Sequence, residues 1–104
     1  MSFSTDHIEE LQPLQARKEE LRQLYRRGMF PTDLIRTVAQ WCPGAGPGDM
    51  QLVFMDVFLL SFTEAIPASW WWVDGSFDVS EARASERLRT TLEQTRARWD
   101  RATT

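Results

Sequence analysis

The sequence predicts an all-α fold: a small single-domain bundle of about four helices, with a central apolar helix and an aromatic loop. Apolar residues recur at helical spacing in four segments of the chain. Glycine- and proline-rich stretches separate these segments. A chain of 104 residues, 42% of them hydrophobic, is long enough to bury one core, so residues 1–104 are expected to form one domain.

The first two predicted helices occupy the N-terminal part of the chain. The first begins at a capping-box pattern that opens with Asp6, and it ends at Gly28. Pro13 lacks a backbone donor, so this helix is expected to kink or begin again near it. The second helix takes Thr32 as its N-cap and ends before Pro43.

The third predicted helix is the most apolar part of the chain. It follows a loop at residues 43–49, PGAGPGD, which lacks the lysine of a phosphate-binding loop. The helix is predicted to run from about Met50, capped by Asp49, to Ala65. It is apolar on nearly every side, which is typical of the buried centre of a bundle. A strand over residues 52–60 is the alternative, but the length and the methionine and leucine content favour a helix.

One acidic residue, Asp56, lies inside this apolar run. A buried carboxylate requires a partner, because an unpaired charge is costly in an apolar environment. Arg36 or a tryptophan N–H is the expected partner if Asp56 is buried.

The fourth predicted helix is long and largely charged. It begins at a second capping-box pattern, Asp78-x-x-Glu81, and runs to about Ala102. Most of its surface alternates arginines with acids at spacings that allow ion pairs. Its apolar side chains form a narrow seam, which permits a helix-pair homodimer. The seam consists of Leu88, Leu92, Thr95 and Trp99.

The loop at residues 67–77 contains three consecutive tryptophans before a turn at Asp74-Gly75. Neighbouring side chains point in different directions, so one small core cannot easily enclose all three indoles. At least one is expected near the surface as an anchor for recognition. The alternative is that two indoles close the end of the bundle and Trp99 packs on them. The three residues are Trp70, Trp71 and Trp72.

Charge and composition restrict the possible functions. The net charge is −3, and residues 28–82 hold seven acids and one base, which indicates a basic partner surface and makes nucleic acid unlikely. One histidine, His7, and one cysteine, Cys42, do not suffice for a zinc site or an oriented catalytic pair. We therefore expect no enzyme activity, no metal and no cofactor. The sequence begins without a secretory signal and has no membrane-length apolar run, so a cytoplasmic location is expected.

Residues 58–80, FLLSFTEAIPASWWWVDGSFDVS, resemble a segment of small bacterial immunity proteins encoded beside polymorphic (Rhs-type) toxins. In that family an apolar helix ends in Leu-Ser-Leu-x-Glu-Ala-x-Pro, and a Gly-Trp-Trp-x-Asp-Gly turn and a Ser-Asp helix start follow. Ser69 stands in place of the glycine, Trp72 is additional, and Glu81 replaces the aspartate. The matching residues are Leu60, Ser61, Glu64, Ala65, Pro67, Trp70, Trp71, Asp74, Gly75 and Ser80.

The resemblance implies an immunity protein of a polymorphic, Rhs or type VI secretion system. Such a protein binds a cognate toxin domain and occludes its active site or substrate groove. The loop aromatics would act as anchors and the acids around them would steer a toxin with a basic groove. The expected partner-binding residues are Trp70, Trp71, Trp72, Asp74, Asp78 and Glu64.

Two other classes of function remain as alternatives. A small DNA-associated regulator would use the arginines of the fourth helix, although acids are interleaved with them. A metal-dependent enzyme would use the acidic cluster of Asp56, Glu64, Asp74 and Asp78.

Overall fold

Helices follow one another along the whole of the described chain, residues 17–75 and 79–100 of a computed structural model. These residues form no strand, so the all-α prediction is confirmed, with about six α-helices in place of four. The predicted N-terminus of the first helix and Asp78 lie outside the described residues. The elements are α1 (Lys18–Arg26), α2 (Pro31–Trp41), α3 (Pro47–Val57), α4 (Phe62–Ala65), the 3₁₀-helix η1 (Ile66–Ser69), α5 (Glu81–Gln94) and α6 (Arg96–Trp99).

The chain leaves α1 and enters α2 through two backbone-specific positions. Gly28 has a φ of 101°, a conformation that only glycine adopts without strain, which confirms it as the stop signal. Phe30 is the N-cap of α2, and Pro31 occupies the first helical position, where its missing N–H costs nothing. The prediction of Thr32 as the N-cap was therefore wrong. Its hydroxyl instead donates a hydrogen bond to Glu81, at 3.0 Å.

The long third helix was predicted wrongly at both ends. Helix α3 begins at Pro47, and the N–H of its N-cap, Gly46, donates to the Asp49 carboxylate at 2.8 Å. Asp49 therefore lies in the first turn and is not the cap. The helix ends at Val57, and Leu59 adopts a left-handed conformation with a φ of 54°. This residue redirects the chain and divides the apolar run.

Ser61 starts a new helix after this bend. Its hydroxyl accepts a hydrogen bond from the Glu64 N–H at 3.2 Å, and the Glu64 carboxylate accepts one from the Ser61 N–H at 2.8 Å. This reciprocal capping box begins α4, which continues directly into η1. The segment predicted as one helix therefore consists of most of α3, a bend and α4.

Helix α3 is central, but it is not buried on every side. Its inner face packs against α1, α4 and η1. Leu52 on the opposite face is 48% exposed. Asp56 is only partly buried and pairs with Lys18, whose Nζ lies 3.0 Å from both carboxylate oxygens. Because Asp56 is not buried, the condition for the expected pairing is not met, and Arg36 contacts Glu81 instead.

The core is closed by α5, which packs against α2 and η1, and by the short α6. Trp99 has no exposed surface and lies edge-to-face against Phe58 and Tyr25, with centroids 5.0 and 5.7 Å apart. Its indole N–H donates to the carbonyl of Leu92 at 3.2 Å, so the ring is buried without losing a hydrogen bond.

The predicted seam of the fourth helix is confirmed: Leu88, Leu92, Thr95 and Trp99 are all buried. The chain's own core fills it, so the seam does not present a surface for a helix-pair dimer. The helix itself is interrupted at Thr95, where α5 ends and α6 begins. Within the described residues, no helix is both long enough and apolar enough to span a bilayer.

Candidate protein-binding surface

The three tryptophans follow directly after η1. We call residues 70–75 the tryptophan loop. Trp70 caps η1, and its N–H donates to the carbonyl of Pro67 at 3.2 Å. The Gly75 N–H donates to the carbonyl of Trp72 at 3.0 Å, and Gly75 has a φ of 74°, so the predicted turn is present. The backbone of the loop is thus held at both ends.

Trp71 is the buried one of the three tryptophans. It is 6% exposed, and the guanidinium carbon of Arg36 lies 4.8 Å from its ring centroid. The same guanidinium donates to Glu81 at 2.7 Å and to Asp33 at 2.8 Å. The hydrogen bond to Glu81 raises the pKa of Arg36, and the reciprocal effect lowers the pKa of the Glu81 carboxyl. Arg36 therefore remains charged above the ring that it covers.

Trp70 and Trp72 are each half-buried, and Trp72 packs against the core. The following Val73 is 41% exposed, and Asp74 is exposed beside it. The aromatic contacts of Trp99 are with Tyr25 and Phe58, so Trp99 serves a separate cluster. The loop therefore presents two partly open indoles, an open valine and a carboxylate on one turn.

The carboxylates predicted to steer a partner differ in their surroundings. Glu64 accepts a hydrogen bond from Arg98 at 2.6 Å, which together with the Ser61 backbone lowers the pKa of Glu64 to about 2. Its charge is compensated by Arg98, so it contributes little to a negative rim. Asp74 is exposed on the loop, and Asp78 lies outside the described residues.

Sequence reasoning missed the contact between the loop and the outer side of α5. Trp70 lines a depression of about 450 Å³ with four α5 residues. The sequence places the two arginines of this depression four residues apart on one helix face, but nothing in the sequence indicates that Trp70 lies beside them. We call this surface the α5 face; it consists of Trp70, Arg83, Glu86, Arg87 and Thr90.

A second depression lies across α5 from the first. This groove, of about 580 Å³, is mostly apolar and is lined by Phe30, which is 53% exposed, and by residues of α5. The guanidinium carbon of Arg89 lies 5.0 Å from the Phe30 ring centroid. Glu86 lines both depressions, so the two adjoin each other at this residue.

Two further arginines of the described C-terminal segment are engaged within the chain. Arg96 pairs with Glu93 and Asp100, and Arg98 pairs with Glu64. Arg101 lies outside the described residues. A continuous phosphate-binding surface would require these side chains to be available.

The described residues contain no group of three His, Cys, Asp or Glu side chains that could hold a metal ion. Cys42 is buried, and His7 lies outside the described part of the chain. Comparison with protein-family models, with curated proteins and with solved structures gave no match to this chain in any of the three. The function must therefore be inferred from the geometry of the site.

Proposed function

We propose that this chain is a non-enzymatic immunity protein that binds a cognate bacterial toxin, of a polymorphic, Rhs or type VI secretion system, and occludes its active site or substrate groove. The observation that carries the proposal is the tryptophan loop. It places Trp70 and Trp72, each partly accessible, beside the exposed Val73 and Asp74. Tryptophan is enriched among the residues that dominate binding energy in protein interfaces.

The loop is also pre-organised for binding. Trp71 is held in the interior beneath Arg36, and the Trp72–Gly75 hydrogen bond closes the turn. A loop that is already ordered loses little conformational entropy when a partner covers it, so more of its contact energy appears as affinity.

The partner's groove is expected to be basic where it meets the tip of the loop. Asp74 is an exposed carboxylate at this position. Complementary charge at an interface mainly accelerates association and selects the partner. Competition between bacteria is the setting in which such a toxin–inhibitor pair would act.

Growth protection tests the proposal directly. The reading frames beside this gene would be expressed from an inducible promoter, with and without the chain. One of them should arrest growth, and the chain should restore growth and form a stable complex with its product. If no neighbouring product is toxic, or if the chain fails to protect against a toxic one, the proposal is wrong.

Variants of the chain make this assay specific to the loop. A Trp70→Ala/Trp72→Ala double variant should lose protection. Phe62→Ala is the matched control, because Phe62 is an exposed aromatic residue outside the loop, at 63% exposure. Its variant should protect as well as the wild-type chain.

A further inference from the structure

Two arginines on the α5 face have no acidic partner within the described chain. Arg83 and Arg87 are both exposed, one helical turn apart, and no carboxylate of residues 17–75 or 79–100 lies within 4.0 Å of either guanidinium. Their neighbour Glu86 lines the same depression without forming an ion pair with them. By contrast, Arg36, Arg96 and Arg98 each form an ion pair with a carboxylate of the chain.

The half-buried Trp70 lies beside these arginines and lines the same depression. An indole next to two available guanidinium groups combines the two side-chain types most enriched at interface hot spots. Arginine binds carboxylates in a bidentate geometry and stacks on flat groups, so the depression is suited to an acidic side chain packed against an aromatic ring.

The groove on the other side of α5 adds an apolar component. Phe30 is exposed there, although an aromatic ring gains by burial. Because Glu86 borders both depressions, a segment crossing α5 at this residue would contact the arginines on one side and Phe30 on the other.

We propose that the α5 face, formed by Trp70, Arg83 and Arg87 and continued by the Phe30 groove, is a docking surface for an acidic and apolar segment of a partner protein. Carboxylates of that segment pair with Arg83 and Arg87, and a neighbouring apolar side chain lies in the Phe30 groove. The inference rests on the proposed function only for the identity of the partner as a toxin domain. The α5 face is positively charged, whereas Asp74 is negatively charged, so the partner carries an acidic element beside its basic groove.

A protein segment fits these observations better than nucleic acid does. A typical phosphate-tracking surface makes about 6–10 contacts with the backbone. Here two guanidinium groups are available on the α5 face, and Glu86 stands between them, while Arg96 and Arg98 are occupied by acids. Two bidentate pairs with an aromatic neighbour are enough for a protein hot spot, but not for a nucleic-acid surface.

The first experiment uses the toxin identified by growth protection. Arg87→Glu should weaken its affinity roughly tenfold or more, because a like charge would face the acidic segment. Arg27→Glu is the matched control, since Arg27 is an exposed arginine that follows α1, away from α5, and it has no ion pair to a described residue. Its affinity should change by less than about threefold. If the toxin binds and Arg87→Glu has no more effect than Arg27→Glu, the docking surface is wrong and the immunity function stands.

The second experiment does not depend on a toxin. Three peptides of equal length, with alternating Glu-Leu, Gln-Leu or Lys-Leu residues, and a short DNA duplex would be titrated into ¹⁵N-labelled chain. Of these ligands, only the Glu-Leu peptide should shift the indole N–H signal of Trp70, and the shift should saturate. Its binding should weaken as salt is added, and the shift should be absent in the Arg83→Glu/Arg87→Glu variant. A saturable shift with DNA alone would replace the inference with nucleic-acid binding. No shift at millimolar peptide, or equal shifts with all three peptides, would overturn it.

Discussion

Arg36 of α2 covers the ring of Trp71, with its guanidinium carbon 4.8 Å from the ring centroid, while it holds the carboxylate of Glu81. Glu81 is the first residue of α5. One side chain therefore joins three parts of the chain: α2, the tryptophan loop and the start of the C-terminal helix. Arg36 lies 34 residues before Trp70, so this contact joins distant parts of the chain.

Replacing Arg36 tests this connection. Arg36→Met keeps much of the side-chain length but removes the charge, and we expect the free energy of unfolding to fall by about 1 kcal/mol. The effect is modest because the ion pairs are partly exposed to solvent. Urea denaturation followed by circular dichroism measures it, with Arg27→Met as the control. Equal unfolding free energies for wild type and Arg36→Met would contradict a structural role.

The three tryptophans should respond differently to alanine substitution. Trp71→Ala removes a ring that is 6% exposed, so the free energy of unfolding should fall by about 3 kcal/mol or more. Trp70→Ala and Trp72→Ala should remain folded, and at least one should weaken binding of the partner by about 2 kcal/mol or more. Calorimetric titration with the toxin and urea denaturation separate the two effects. Unchanged affinity for both surface variants would exclude the loop from the interface.

Glu64 should contribute stability that depends on pH. Arg98 and Ser61 lower its pKa to about 2 from an ordinary value of 4.5. Because the folded state favours the charged carboxylate, the contribution is present above pH 4.5 and is lost as the pH falls through about 2. The difference in unfolding free energy between wild type and Glu64→Gln should therefore be larger at neutral pH than near pH 2.

A double-mutant cycle with Arg98→Gln provides the control for Glu64. In the Arg98→Gln background, the effect of Glu64→Gln and its dependence on pH should both be smaller, because the largest cause of the pKa shift has been removed. Urea denaturation at several pH values measures all four proteins. A pH dependence that persists undiminished without Arg98 would show that this arginine is not its source.

The bend after α3 should be sensitive to side-chain shape at Leu59. A left-handed φ of 54° disfavours β-branched residues, whereas asparagine tolerates it. Leu59→Asn should therefore be more stable than Leu59→Val by about 1 kcal/mol. The same two substitutions at Leu52, which is exposed within α3, are the control and should differ little, since valine and asparagine have similar helix propensities. Thermal melting would rank the four variants, and a more stable Leu59→Val would refute the expectation.

The helices whose apolar residues recur at helical spacing were predictable from the sequence. The buried seam of Leu88, Leu92 and Trp99 is one example, because periodicity alone places these residues on one face. The bend at Leu59 was not predicted, since Phe58 and Leu60 on either side of it are common in helices and the segment lacks glycine and proline. The Ser61-x-x-Glu64 capping box was the available sign of a new helix, and it lay inside the segment predicted as continuous.

The candidate site was predictable only in part, because several of its contacts join residues that are far apart in sequence. The crowding of three indoles does leave Trp70 and Trp72 partly open, but the buried ring, Trp71, is covered by Arg36, a distant residue. The pairing of Glu64 with Arg98 also joins residues far apart in sequence. Local pattern does not indicate such contacts, so the pairing of Glu64 and the α5 face were not predicted.

The complete enclosure of Trp99, set against the partial accessibility of Trp70 and Trp72, has an optical consequence. Emission from Trp99 should come from a water-free environment and resist collisional quenching by iodide, whereas emission from the partly accessible Trp41 and from the two loop indoles should be quenched. A molecule that covers the loop would shield only the loop indoles. The unlabelled chain therefore carries its own fluorescent signal of complex formation, against an internal reference that stays constant.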